Sequence, residues 1–240
     1  MLKPYYQDSA VTIYHGDCRE ILPQLDVKVD LVLTDPPYGI GKDGQKVSTG
    51  GHGGRKGYEF LGWDSQRPEQ STFDLIRETS TAQIIWGGNY FADILPATGK
   101  WFVWDKGQRI NQSDGELAWT SFDGALRIIT LNRVELMLDN AAHPTQKPLK
   151  LLTWCITQAD KCGVNNLILD PFLGSGTTAL AAKILGRKCI GIEISEEYCA
   201  IAAKRCSQSV MVLPIEPSQK EAKSSGTFFP LLDDIEGKEL

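Results

Sequence analysis

The 240-residue sequence lacks several features, and each lack removes a class of reading. It has no excess of positive charge: 25 Lys and Arg stand against 30 Asp and Glu, for a net charge of −5. That balance argues against a generally basic nucleic-acid coat and leaves room only for a local basic face. No apolar run approaches the ~20 residues that a membrane-spanning helix needs, and residues 1–10 are polar and aromatic, unlike a secretory leader. The six cysteines (Cys18, Cys155, Cys162, Cys189, Cys199 and Cys206) form no C-x-x-C pair, and the three histidines do not cluster with them. This speaks against zinc, and no metal is expected. Free thiols suit a reduced, cytoplasmic protein. There is no internal repeat.

Hydrophobic (42%) and charged (23%) fractions are those of an ordinary globular protein, and the length allows one large α/β domain. One stretch organises the chain: Leu31-Val32-Leu33-Thr34-Asp35-Pro36-Pro37-Tyr38-Gly39. Its first residues read as a buried strand that stops at the prolines, which have no N–H for a ladder. A carboxylate, two rigid carbonyls and an aromatic ring are thereby placed at the carboxyl end of a strand, the edge where open α/β sheets bind ligands. Asp35 and the Pro36 carbonyl can each accept an N–H, and Tyr38 can stack on a flat base. Together they suit an exocyclic amino group of a nucleobase. Taken alone, the stretch also fits a strand followed by a Pro-rich turn with Tyr38 as packing.

A second stretch has the outline of a nucleotide site. Asn166-Leu167-Ile168-Leu169-Asp170 reads as a strand and runs into Pro171-Phe172-Leu173-Gly174-Ser175-Gly176-Thr177-Thr178, then a helix. Gly174 and Gly176 allow close approach to the backbone, and the helix start offers free N–H groups. About twenty residues on, Glu193 ends the next strand, the place for a carboxylate that holds ribose hydroxyls. The third glycine of the dinucleotide fingerprint is missing. Asp170 adds an acceptor for an ammonium group, which a dinucleotide does not carry there. S-adenosylmethionine therefore fits better than NAD.

The remaining chain alternates strands and helices. Residues 11–14 read as a strand ending at His15-Gly16-Asp17-Cys18, where Asp17 suits either a helix N-cap or an acceptor for a cofactor amino group. Residues 39–64 are glycine-rich and carry Lys42, Lys46, Arg55 and Lys56. They form either a mobile lid or nucleic-acid clamp, or a solvated surface loop. Strands are expected over 82–86 and 100–104, with a hairpin over 116–122 and 125–130 turning at Asp123-Gly124. Apolar spacing predicts a helix over 148–159 with Pro148 at its start. A further strand–helix unit covers 188–206, with alanines on the helix's packing face. Residues 1–213 form the expected catalytic domain, and the Ser-, Lys-, Glu- and Pro-rich 214–240 segment a flexible tail.

Asp35-Pro36-Pro37-Tyr38 together with Asp170-Pro171-Phe172-Leu173-Gly174-Ser175-Gly176-Thr177-Thr178 resembles the amino-methyltransferases that modify exocyclic nitrogens in DNA. His143-Pro144-Thr145-Gln146-Lys147-Pro148 and Gly16-Asp17-Cys18 are similar to two further blocks of that family, and the similarity spans Val11 to Cys206. The catalytic block precedes the cofactor block, as in the permuted (β) class and unlike the protein glutamine methyltransferases. The resemblance implies a Rossmann-like α/β fold with a seven-stranded, mostly parallel sheet and helices on both faces. It implies that the strands before Asp35 and Asp170 lie side by side. Asp35, Pro36, Pro37 and Tyr38 would be catalytic. S-adenosylmethionine would lie against Asp17, Cys18, Asp35, Asp170, Phe172, Gly174, Ser175, Gly176, Thr177, Thr178 and Glu193, with Thr145 and Lys147 helping.

The implied partner is DNA, with the target recognised by the short segment 107–142, aided by a second copy of the chain or limited to a short sequence. The implied acceptor is adenine N6, because aspartate in the first catalytic position is typical of the adenine enzymes. Cytosine N4, a non-catalytic DNA-binding protein on this fold, and an NAD-dependent oxidoreductase are the alternatives.

Overall fold

A computed structural model of the chain describes residues 2–41, 64–107, 113–132, 147–164 and 166–208. The strands, in chain order, are β1 (Tyr6–Gln7), β2 (Val11–His15), β3 (Val29–Thr34), β4 (Ser80–Trp86), β5 (Phe102–Asp105), β6 (Gly115–Thr120), β7 (Arg127–Thr130), β8 (Leu167–Asp170) and β9 (Lys188–Glu193). The α-helices are α1 (Cys18–Ile21), α2 (Gln70–Thr79), α3 (Leu149–Asp160), α4 (Thr177–Ile184) and α5 (Glu196–Ser207). Short 3₁₀ turns cover Leu22–Gln24 and Gly88–Phe91. Among the described residues no helix is long and apolar enough to cross a membrane, and all six cysteines are free.

The strands form one sheet in the order β1-β2-β9-β8-β3-β4-β6-β5-β7. It is mostly parallel, as the resemblance implies, but among the described residues it has nine strands rather than the expected seven. One unexpected strand is the two-residue β1, which pairs antiparallel with β2 and is too short to leave a periodic signal. The expected hairpin does not form either. β6 inserts antiparallel between β4 and β5, and β7 pairs in parallel with β5 on its other side. Residues 113–132 thus include two strands of the main sheet.

Each face of the sheet carries its own core. Leu31, Leu33, Ile84 and Trp86 pack with Leu151, Leu152, Cys155 and Ile156 of α3, with alanines of α4 and with Cys199, Ala202 and Cys206 of α5. Val29, Val32 and Ile85 pack on the other side with Ile21, Phe73, Ile76 and Phe91. The α5 packing face thus has two cysteines and one alanine rather than the expected alanine row. Helices on both faces follow from the unbroken apolar runs Leu31–Leu33 in β3 and Leu167–Leu169 in β8, as in strands covered on both sides. β3 and β8 are hydrogen-bonded neighbours, with Leu31 opposite Ile168 and Val32 opposite Leu169. That register brings Asp35 and Asp170, 135 positions apart in the sequence, to the same sheet edge.

Candidate active site

Four neighbouring parallel strands deliver the site. Asp17 follows β2, Glu193 ends β9, Asp170 ends β8 and Asp35 follows β3, all at carboxyl ends. Asp17 caps α1 and binds Arg19, whose backbone N–H donates at 2.8 Å and whose guanidinium lies 2.5 Å away. The hydrogen bonds from Arg19 hold its carboxyl below the usual range. The N-cap reading of Asp17 is therefore the one realised in the free chain. Cys18 beside it is buried, which pushes its thiol up to about 12 and leaves it inert as a nucleophile.

Glu193 locks the loop after β8. Its Oε2 accepts from Gly174 N–H at 2.7 Å and its Oε1 from Ser195 N–H at 2.8 Å, and the Gly16 N–H donates to its carbonyl at 2.9 Å. The two loop glycines do different work. Gly174 has φ +53° and a side chain there would meet only open space, so this stretch of backbone is free to face a ligand. Gly176 has φ +83°, but a Cβ on it would run into Ala202 of α5 at 2.7 Å. Helix packing therefore requires glycine here, a demand that the sequence did not show. Arg205 fixes the same loop by donating to the Ser175 carbonyl, the Ser175 hydroxyl and the Thr177 hydroxyl at 2.6, 3.0 and 3.1 Å. Phe172 is half-buried beside it.

Asp170 is 3% exposed and accepts from the Thr34 hydroxyl at 2.7 Å and from Phe172 N–H at 3.1 Å. Burial pushes its carboxyl up to about 6 despite these bonds and one from Thr178, and the negative charge of Asp35 adds to the rise. Burial raises Glu193 as well. Two carboxyls raised in this way, beside a third at the end of β3, leave the edge short of positive charge. A ligand with a sulfonium and an ammonium would supply it, so the residues present fit S-adenosylmethionine.

At Asp35 the chain supplies its own donors. Tyr38 donates its hydroxyl to Asp35 Oδ1 at 2.5 Å, and Lys147 Nζ lies 2.5 Å from Oδ2 and 3.4 Å from the Tyr38 oxygen. Lys147 also pairs with Glu116 of β6 at 3.0 Å, and Lys106 holds the other Glu116 oxygen at 2.7 Å. Burial alone would lower Lys147, but Asp35 and Glu116 carry it well above the usual lysine range. Burial would raise Glu116, and the two lysines hold it well below the usual carboxylate range. Burial and the Asp35 charge push the Tyr38 phenol up. Lys147, expected to help hold the cofactor, is thus placed on the Asp35 carboxylate. Thr145 and most of the 39–64 loop lie outside the described residues.

The Tyr38 ring is tightly fixed. Tyr90 stacks on it with ring centroids 4.7 Å apart and planes 15° apart, so one of its faces is already covered. A side chain at Gly87 would meet the ring at 2.1 Å, which only glycine avoids. Buried Asp64 accepts from the Tyr38 and Gly39 N–H groups at 2.8 Å each, tying down the turn after the prolines. Sequence reasoning missed Glu116, Lys106, Asp64 and Tyr90. Glu116 and Lys106 sit on or beside polar strand ends with no local signal, and they reach the site only because β6 and β5 follow β4 in the sheet.

Comparisons agree with this geometry. A family model for N6/N4 enzymes, described as DNA methylase, matches residues 103–204. The chain is 28% identical to the Type II methyltransferase M.ScaI of Streptomyces caespitosus, over 85% of this chain and 83% of that protein. It is 25% identical to the Type II methyltransferase M2.MboI of Moraxella bovis, over 92% and 97% of the two chains. Among solved structures, the M1.HpyAVI–SAM complex superposes with a TM-score of 0.54 at 27% identity, covering 81% of this chain and 99% of that one. With acids at the ends of β3, β8 and β9, the chain is similar in sequence, fold and site to the S-adenosylmethionine-dependent DNA amino-methyltransferases that act on adenine N6 or cytosine N4.

Proposed function

We propose that the protein methylates the N6 amino group of adenine in DNA. The observation that carries this reading is the placement of Asp35 and the Pro36 carbonyl on the strand next to Asp170, so that a base and a methyl donor would lie side by side. The donor, when bound, supplies an electrophilic methyl group on a sulfonium.

The chain's residues do the rest. An exocyclic amino nitrogen is a poor nucleophile because its lone pair is delocalised into the ring. Asp35 and the Pro36 carbonyl accept its two N–H bonds and favour a pyramidal nitrogen with a free lone pair. Positioning and electrostatics then provide most of the acceleration. Asp35 or water takes the proton lost after transfer. The base must leave the duplex to reach Asp35, where Tyr38 is the aromatic side chain placed to stack on it. Asp170 holds the donor's ammonium, Glu193 its ribose, and Asp17 and Cys18 its adenine. Phe172, Ser175, Thr177, Thr178 and Thr145 line the remainder. Incubation of unmethylated genomic DNA with labelled donor, followed by nucleoside separation by mass, tests the acceptor. Label in N6-methyladenine supports the reading, and label in N4-methylcytosine moves the assignment to cytosine.

Within this reading, 1–213 is the catalytic domain, 214–240 a tail, and 107–142 supplies target recognition from around β6 and the edge strand β7. A second copy of the chain enlarges that surface. The setting is the cytoplasm, in a restriction-modification context like the Type II names of its relatives.

Two results are expected here. Glu193→Ala should weaken donor binding by about 1–3 kcal/mol, the cost of leaving buried polar groups unpaired. Part of the loss comes from the freed Gly174 and Ser195 N–H groups. Calorimetry with S-adenosylhomocysteine reads it, and unchanged affinity would remove Glu193 from the site. Replacing Lys42, Lys46, Arg55 and Lys56 with Ala should weaken DNA binding and flatten its dependence on salt. An unchanged slope in a salt titration would make the 39–64 loop a bystander.

A further inference from the structure

Both Asp35 oxygens are engaged by the chain itself, although the reaction needs this carboxylate as an acceptor. Oδ1 takes the Tyr38 hydroxyl and Oδ2 the Lys147 ammonium, each at 2.5 Å. Asp35 is nevertheless the open end of the cluster, with 29% of its side chain exposed against 9% for Lys147. An amino group arriving at Oδ2 from solvent meets a position already held by a stronger, charged donor. The same ammonium has a second anion within reach, Glu116 Oε2 at 3.0 Å. Glu116 is well anchored to receive it. It sits in β6, and its other oxygen is held by Lys106, whose ammonium lies 5.0 Å over the Trp104 ring.

We propose that Lys147 is a displaceable occupant of Asp35: its ammonium fills the acceptor position in the free protein and passes wholly to Glu116 when the target amino group docks. Glu116 is then a positioning residue that acts through Lys147. This rests on the methyl-transfer reading above. Moving a buried cation between two anions costs far less than leaving it unpaired, so the position at Oδ2 can be vacated only because Glu116 is there. The rings of Tyr38 and Trp86, each 5.8 Å from Nζ, favour keeping the cation in this pocket during the shift. The same device raises selectivity, because a donor that cannot outcompete the ammonium leaves Asp35 blocked.

Among the described residues, few groups face Lys147. They are Asp35 and Tyr38 after β3, Trp86 at the end of β4, Glu116 of β6 with Lys106 behind it, and the Cys155 thiol of α3. Asp170 acts on Asp35 from β8.

Glu116→Gln keeps the shape but leaves Asp35 as the sole anion for Lys147. The expected result is a fall in kcat of about tenfold or more with S-adenosylhomocysteine affinity unchanged. That deficit should shrink as the pH rises, because a lysine with one anionic partner gives up its proton sooner and vacates Asp35. Glu116→Asp keeps an anion for Lys147 on the same strand, so its kcat should recover toward that of the wild type and lose the pH dependence. A merely structural role for the cluster leaves both variants impaired alike, with no relief at high pH. Wild-type kcat in E116Q, a pH-independent deficit there, or a loss in E116D equal to that in E116Q overturns the proposal. Should E116Q not fold, E116D decides alone: a pH-independent loss of about tenfold or more overturns the proposal. Wild-type protein that methylates no DNA would instead defeat the functional reading, which separates the two failures.

Discussion

Replacing Asp35 with alanine is expected to cut methyl transfer at least about 100-fold while leaving donor affinity near that of the wild type. The carboxylate stands at the open end of its cluster, and its interaction with the reacting nitrogen is made mainly in the transition state. Most of the donor's proposed contacts lie on β8, β9 and the turn after β2, so its affinity depends little on this side chain. The structure adds a second consequence. Asp35 is the acceptor for the Tyr38 hydroxyl and one of the two anions on Lys147. Its removal leaves that hydroxyl without its partner and the Lys147 ammonium with Glu116 alone, so some loss of thermal stability accompanies the loss of activity. Tyr38→Phe keeps the ring and its stack on Tyr90 but frees Asp35 Oδ1. Its effect therefore reports on how that carboxylate is held, whereas Tyr38→Ala adds the loss of base stacking, about 1–3 kcal/mol. Transfer of label to DNA, read beside calorimetry with the donor, tests all three variants. Transfer by Asp35→Ala within a few-fold of wild type would remove Asp35 from the chemistry.

Asp170→Asn should weaken S-adenosylmethionine binding at pH 7.5 by about 2–3 kcal/mol, in the range for a hydrogen bond to a charged group. It should also abolish a pH dependence that the wild type has. In the free protein burial raises the Asp170 carboxyl to about 6, above the value near 4 that an unfolded chain shows. The fold therefore favours the neutral form, and the free protein loses stability as the pH rises from about 4 to about 6. The donor's ammonium favours the ionised form. Binding is then at full strength above about pH 6, and below it weakens by up to about tenfold per pH unit, with a proton released for each donor bound. Affinity measured from pH 5 to pH 8 shows this slope in the wild type and none in the variant. A flat wild-type profile would mean that Asp170 does not face the ammonium.

The sequence by itself determined the two chemical blocks and the strands that carry them. Apolar runs ending in Asp35 and Asp170, with prolines or glycines directly behind, leave little freedom for where the chain turns and what it exposes there. The order of those blocks, and the acid that ends β9, carried the family and the donor. These are local signals, and local geometry decides them. Tertiary structure decided what the blocks touch. No spacing announces that Asp170 accepts from the Thr34 hydroxyl, or that the packing of Ala202 needs glycine at Gly176. Nor does any spacing place Lys147 against the Asp35 carboxylate with Glu116 behind it. The hairpin expected over 116–130 failed for the same reason. Two neighbouring strands and a turn between them are a good local pattern, but β5 was available to pair on both its edges, and non-local pairing overrode it. Because β6 was drawn in between β4 and β5, Glu116 came to lie beside Asp35. The buried charge cluster at the centre of the site thus exists only in the folded sheet.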